Sequence, residues 1–443
     1  MIKIAMIGAG STVFMQNILT DVLLEDCFKG CHVALQDIDE KRLKTSQLVA
    51  EKISTSVKAN PTITATTDRR MALKGADFVV IIIQVGGYKP STVIDFEIPA
   101  KYGLTQTIAD TLGVGGVMRG LRTVPVLVDI AHDIMDVCPD ALMLQYVNPM
   151  AINCLALSRI VPDLRYVGLC HSVQGTAIDL ARDLGEAIDD IEFECAGINH
   201  VAFYTKFAKR HANGTIEDLY PRLHELIDGR DYGVNYDGCT NHVRYEMLRR
   251  LGYFVTESSE HFAEYTPWFI KNNQPELINQ FDIPINEYIR RCEDQIEKWD
   301  AQEQALLSDS PILCEKSVEY AARIMHAVAN DAPELINGNV LNDELIGNLP
   351  ANACVEVPCI VDKRGITPQA VADLPPHLAA IMQSSINVQA LTVEAIITGK
   401  KEHVYHAVMM DPHTGAELNL DQIWKMVDEL LEAHAGWLPP LSL

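Results

Sequence analysis

The 443-residue chain has no apolar run near the roughly 20 residues that cross a bilayer, and its longest candidates are strand-like stretches such as residues 76–85. No membrane partner is expected. It has no basic start followed by an apolar signal segment, and its 11 cysteines are an odd number. These features argue against a secreted disulfide framework and for reduced thiols in a cytoplasm. Positive charge is scarce: 36 Lys and Arg stand against 60 Asp and Glu, a net charge of -24. Binding to nucleic acid or anionic lipid relies on clustered basic residues that displace counterions, so no nucleic acid partner is expected. A neutral small molecule or a metal cation fits better. Internal repeats and low-complexity tracts are also missing, as are the closely spaced Cys and His pairs of a structural zinc site.

The remaining composition is that of an ordered globular chain, with 48% apolar and 22% charged residues. The length suits two or three folding units, or one large α/β core with an appended lobe. Residues 1–8, MIKIAMIG, form a short β-rich run ending in glycine, and residues 11–24 carry apolar side chains at helical spacing. A second strand at 32–36 ends on Asp37 and leads into a charged helix through Lys58. A third run at 76–84, ADFVVIIIQ, is continuously apolar, as in strands buried on both faces of a parallel sheet. The alternation continues through a helix at 121–137, a strand at 141–147, a helix at 151–158 and a strand at 166–169. This predicts a Rossmann-like, doubly wound parallel sheet of about six strands, with its chemistry at the strand carboxyl ends. After His200 the pattern is mixed, with helices at 284–307, 317–329, 375–398 and 420–434 and short strands between them. The expected division is a nucleotide-binding domain at 1–190 and an α+β lobe at 191–443 that serves substrate, metal and oligomerisation.

Four stretches carry candidate chemistry. Gly8-Ala9-Gly10-Ser11 links a strand to a helix, where glycines admit a pyrophosphate to the backbone amides at the positive helix end. Asp37, at the end of the second strand, can accept both ribose hydroxyls and repel a 2′-phosphate, which favours NAD over NADP. Val13 replaces the third glycine of the full fingerprint. Asn148, before Pro149, is either an ordinary turn residue or an amide placed to meet a substrate hydroxyl. Cys170 and His200 are either a buried thiol and a satisfied imidazole, or two ligands of an open metal site. Residues 256–269, TESSEHFAEYTPWF, collect Glu257, Glu260, His261, Glu264, Tyr265 and Trp268. The stretch reads equally as a helix with an acidic face or as a carbohydrate site of rings and acceptors.

Together, GAGST, QDID, IIIQVGGY, QTIADTLGVGG with Arg119 and Arg122, YVNPM, GLCHSVQGT, GINH and TESSEHFAEYTPWF resemble glycoside hydrolase family 4, nearest its melibiase-like α-galactosidase branch. The resemblance runs on to VYHAVMMDPHT, nearly the whole chain. It implies hydrolysis without the usual carboxylate pair, as in the NAD-dependent members of that family. NAD takes a hydride from C3 of the glycoside, a base removes the C2 proton, and the C1 leaving group is eliminated. Water then adds, and the hydride returns. A divalent metal, usually Mn²⁺, polarises the C2 and C3 oxygens.

By the same resemblance, Gly8, Gly10, Ser11, Thr12, Asp37 and Gln84 bind the cofactor, and Cys170 and His200 ligate the metal. A thiolate is a softer partner than Mn²⁺ prefers, which implies weak retention. Asn148, Asp110 and Arg290 belong with the substrate, and Arg290 or Arg291 could meet a uronic acid carboxylate. His171 is the acid and Tyr265 the C2 base, with Glu264 and His261 as rivals. Thr92 stands where phosphosugar relatives place an Arg, and His171 where they often carry Asp; both argue against a 6-phospho sugar, although Lys89 lies nearby. α-Galacturonidase and α-glucosidase activity are the alternatives within the family. Outside it stand a 2-hydroxy acid dehydrogenase of the lactate and malate type, whose fold the family shares, and a non-enzymatic NAD sensor. The resemblance also implies a homodimer or homotetramer.

Overall fold

The opening apolar run becomes strand β1 (Lys3–Ile7) in a computed structural model that describes residues 1–229, 232–235, 238–308 and 310–442. It lies between β2 (His32–Gln36) and β4 (Phe78–Ile81), parallel to both, with Ile4 opposite Val33 on one side and Phe78 on the other. β3 (Thr62–Thr66) flanks β2, and β5 (Leu142–Gln145) and β6 (Tyr166–Gly168) continue beyond β4. The spatial order 3-2-1-4-5-6 is the expected doubly wound sheet. Its connections diverge between β1 and β4, where a ligand crevice opens at the strand carboxyl ends.

β3 carries no apolar run because it is partly exposed, and its TITAT sequence alternates Thr with small or aliphatic residues. The helix expected at 121–137 begins earlier and spans Gly113–Val137, so the glycine-rich segment forms its first turns. The mixed second half supplies two sets of strands. β7 (Ile191–Ala196), β8 (Phe203–Arg210), β9 (Ile216–Asp218) and β10 (Phe254–Val255) form a separate antiparallel sheet. β11 (Glu334–Leu341), β12 (Cys354–Asp362) and β13 (Gly365–Pro368) instead extend the first sheet, antiparallel, from its β6 edge. Pairing with β11 covers the short edge of β6, whose backbone groups would otherwise be open. The nine-stranded sheet thus draws on both halves of the chain.

Helices Gly113–Val137, Pro376–Thr398, Lys401–Met410 and Leu420–Ala433 share an apolar core that includes Val117, Leu121, Val388, Val404, Val427 and Leu430. A buried polar join ties this bundle to the helix Val93–Lys101 that follows β4. Asp95 accepts two bonds from Arg122, at 3.2 and 2.5 Å, and its Oδ1 lies 2.8 Å from His434 Nε2. No helix among the described residues is long and apolar enough to cross a membrane.

Candidate active site

At the crevice, the Gly8–Gly10 turn is held to the end of β2. The N–H groups of Gly8 and Ala9 both donate to Gln36 O at 2.9 Å, and Gly10 N–H donates to Asp37 Oδ2 at 2.7 Å. Both glycines are sterically required. Gly8 has φ +89°, and a Cβ there would lie 2.8 Å from the Ile82 carbonyl; one on Gly10 would lie 2.6 Å from Asp37 Oδ2. No side chain caps the helix Thr12–Leu24, which leaves its first N–H groups to other acceptors, an arrangement that suits a pyrophosphate. Ser11 is exposed, whereas Thr12 is buried and turns its hydroxyl to Ser46 Oγ at 2.9 Å. Gln84 is exposed just beyond β4. This cradle fits a dinucleotide.

Deeper along the same edge, three side chains from distant segments converge. Cys170 follows β6, His200 ends the turn after β7, and Glu257 opens the segment after β10. Cys170 Sγ lies 3.4 Å from His200 Nε2, which lies 3.0 Å from Glu257 Oε2, and one donor atom of each residue falls within 4.8 Å of the others. His200 adopts φ +66°, a conformation non-glycine residues occupy only when the surroundings enforce it.

Burial draws the His200 pKa down to about 4, so its ring is neutral. Burial would raise Glu257, but the imidazoles of His200 and His261 outweigh it and bring its pKa to about 2. Burial disfavours charging His261, but Glu257, Asp110, Glu260 and Glu264 surround it and raise its pKa. Burial, with Glu257 and Glu356 nearby, pushes the Cys170 thiol well above its usual range. A neutral imidazole, a carboxylate and a thiol that only a strong positive charge would ionise form a donor set suited to a divalent cation. Glu257 was legible only as one carboxylate among several, because no spacing along the chain links it to Cys170 and His200.

The hydroxyl of Tyr265 lies 3.2 Å from His200 Nδ1, on the side of the ring away from the donors. Burial first, then Asp110, Glu264 and Glu257, raise its pKa well above 10. Asp110, also buried, accepts from Asn148 Nδ2 at 3.0 Å and from Thr111 Oγ1 at 2.8 Å. Arg119, which the motif reading noted without a role, donates to Asn148 O at 3.2 Å and lies over the Tyr288 ring. Of the rival bases, Glu264 has both oxygens engaged by the N–H groups of Thr107, Ile108 and Ala109 at 2.8–3.1 Å, and burial lifts its pKa to about 7. His261 Nδ1 is 2.6 Å from Ser258 Oγ.

His171 borders the cluster beside Cys170, with its side chain 41% exposed and Nδ1 3.6 Å from Glu319. Arg290 is not brought into the cluster: its side chain is 57% exposed and bonds Glu287 and Asp294. Arg291 reaches Glu260 at 2.7 Å.

A dinucleotide turn and a three-donor cation cluster on one edge of a doubly wound sheet define a cofactor-dependent enzyme of the Rossmann class. Within that class the chain belongs to family 4 of the glycosyl hydrolases and is a glycosidase. Residues 3–186 match the family 4 glycosyl hydrolase model, and residues 195–414 match the model of its C-terminal domain. The chain is 48% identical to an α-galactosidase of Bacillus subtilis over 99% of both chains. It is 34% identical to an α-galactosidase of Rhizobium meliloti over 99% of this chain and 89% of that one. Its fold is that of a 6-phospho-α-glucosidase from gut microorganisms solved with NAD and Mn²⁺, with a TM-score of 0.82, 21% identity and complete coverage of both chains.

Proposed function

We propose that this glycosidase hydrolyses α-galactosides with the help of bound NAD and a divalent cation, manganese by preference. The observation that carries the substrate is the end-to-end 48% identity to the Bacillus subtilis α-galactosidase. The glycine turn supports the cofactor, and the cluster of Cys170, His200 and Glu257 supports the metal. When bound, NAD would supply reversible hydride exchange with the sugar, and the cation would supply Lewis acidity at neighbouring oxygens.

The chain's own residues take the following parts. Gly8, Gly10, Ser11 and Asp37 hold the dinucleotide, with Gln84 at its rim; the inward hydroxyl of Thr12 gives that residue a supporting part in the turn. Cys170, His200 and Glu257 hold the metal. Asn148 and Asp110, bonded to each other at 3.0 Å, present an amide and a carboxylate to sugar hydroxyls. Arg290, whose exposed side chain is already bonded to Glu287 and Asp294, lends no support to a contact with a uronic acid.

Tyr265 takes the C2 proton. A phenol with so high a pKa becomes a base only when positive charge is placed beside it, and the donors across the His200 ring are where that charge would sit. His171, at the exposed border and within reach of Glu319, protonates the departing oxygen. The division into lobes at 1–190 and 191–443 then places the cofactor mainly on the first and completes the metal site from the second. We assign the protein to the cytoplasm, in keeping with its 11 free cysteines, and, on family resemblance, to a homodimer or homotetramer.

The test is release of nitrophenol from 4-nitrophenyl α-galactoside by dialysed protein, with NAD⁺ and Mn²⁺ added singly and together under reducing conditions. Turnover only with both, and without net NADH, is expected. No turnover under any combination would overturn the galactoside assignment. NADH accumulating with a hydroxy acid would point to a dehydrogenase.

A further inference from the structure

The chain segments that carry Cys170 and His200 leave opposite ends of a single rung across the extended sheet. Gly168 of β6 is opposite Asn339 of β11, and Asn339 is opposite Glu356 of β12. Glu356 is in turn opposite Gly197, and the two exchange N–H···O bonds of 3.1 and 2.8 Å. Cys170 lies two residues past one end of the rung, and His200 three residues past the other. Directly opposed residues project to the same face of a sheet, so Asn339 and Glu356 sit side by side. Gly197 has φ +153°, and a Cβ there would come within 2.6 Å of Ala202 Cα. The turn that delivers His200 is therefore closed tightly against the rung.

The middle of the rung is polar where apolar side chains would pack more simply. Asn339 and Glu356 are fully buried, as is Asn199 beside the ligand His200. Asn339 Nδ2 donates to Gly168 O at 3.3 Å and lies 3.5 Å from Glu356 Oε1. Glu356 Oε2, Asn339 Oδ1 and both amide atoms of Asn199 have no hydrogen-bond partner among the described residues. Burial, reinforced by Glu257, pushes the Glu356 pKa up to about 8, and a neutral acid there can both donate and accept. Leaving such groups unsatisfied is destabilising, and proteins retain them where ordered water completes the bonding.

We infer that Asn339 and Glu356 are positioning residues that, through the rung and ordered water beneath it, fix the separation of the Cys170 and His200 ligands. The inference rests on the metal reading of Cys170, His200 and Glu257. A side chain that merely fills the core would affect stability; one that sets ligand separation affects metal affinity in protein that is still folded.

The experiment titrates Mn²⁺ alone into cofactor-free full-length protein, reading free Mn²⁺ by electron paramagnetic resonance, with NAD⁺ binding as the check on folding. Glu356→Leu should weaken Mn²⁺ binding about 10- to 100-fold, and Glu356→Gln, which keeps a donor and an acceptor, by no more than about threefold. NAD⁺ affinity should be the same in both variants as in the wild type. If the Leu variant does not bind NAD⁺, Asn339→Ala carries the test, with an expected loss of about tenfold or more. Wild-type Mn²⁺ affinity in a folded Leu or Ala variant would overturn the inference and leave the metal reading standing. So would an equal loss in the Gln and Leu variants, because charge rather than position would then be responsible. Wild-type protein that takes up no Mn²⁺ would overturn the metal reading, and this inference with it.

Discussion

His200 presents its two ring nitrogens to different neighbours: Nδ1 lies 3.2 Å from the Tyr265 hydroxyl, and Nε2 lies 3.0 Å from Glu257. One neutral imidazole therefore separates the proposed proton acceptor from the proposed cation. Replacing Tyr265 by Phe removes the hydroxyl and leaves the donors in place. Turnover of 4-nitrophenyl α-galactoside should fall by about 100-fold or more, while Mn²⁺ titration changes little. Retained turnover would transfer the base role to another group.

Glu257→Gln tests whether three donors, rather than two, hold the metal. The amide keeps the size of the side chain but loses the charge that faces His200 and His261. Mn²⁺ affinity should drop about 10- to 100-fold, and excess Mn²⁺ should restore part of the activity. Unchanged affinity by calorimetry would restrict the ligands to Cys170 and His200.

Gly10→Ala would place a methyl group 2.6 Å from the Asp37 carboxylate and 3.0 Å from Arg42 Cβ. The turn must shift to accept it, and the bond from Gly10 N–H to Asp37 shifts with it. Fluorescence titration should show NAD⁺ binding weakened by about tenfold or more, with Mn²⁺ binding untouched. Normal NAD⁺ affinity would place the dinucleotide elsewhere.

His413 lies outside the proposed site, and burial draws its pKa down to about 4, against the pull of Glu417. An unfolded imidazole takes a proton below about 6.5. Between those values the unfolded chain binds the additional proton, so this residue lowers stability as pH falls from 6.5 to 4. The full shift corresponds to a loss on the order of 3 kcal/mol. In urea denaturation at a series of pH values, the stability of the wild type relative to His413→Gln should decline across that window. A constant or growing advantage toward acid would contradict the buried neutral ring.

The three candidate bases within 256–269, Tyr265 and its rivals Glu264 and His261, have different surroundings. Glu264 is committed to the backbone of residues 107–109, and His261 to Ser258 and Glu257, whereas the Tyr265 hydroxyl lies within hydrogen-bond distance of the His200 ring. All three are polar side chains on one short stretch, and only their surroundings distinguish them. Arg290 and Arg291, adjacent in sequence, share the buried carboxylate of Glu287 but differ in their second partner, which is partly exposed Asp294 for Arg290 and buried Glu260 for Arg291.

What the sequence determined by itself is local in origin. Continuous apolar runs specify strands buried on both faces, glycines at 8 and 10 specify the tight turn between strand and helix, and Asp37 follows from its place at the end of β2. Each depends on residues within a few positions of one another, so the doubly wound sheet and its dinucleotide turn could be read directly. What only the tertiary structure decided depends on contacts between distant segments: Glu257 completing the donors of Cys170 and His200, β11–β13 closing the edge at β6, and Asn339 and Glu356 spanning the two ligand-bearing chains. No periodicity or spacing encodes such meetings, because they are set by how the whole core packs rather than by any one element.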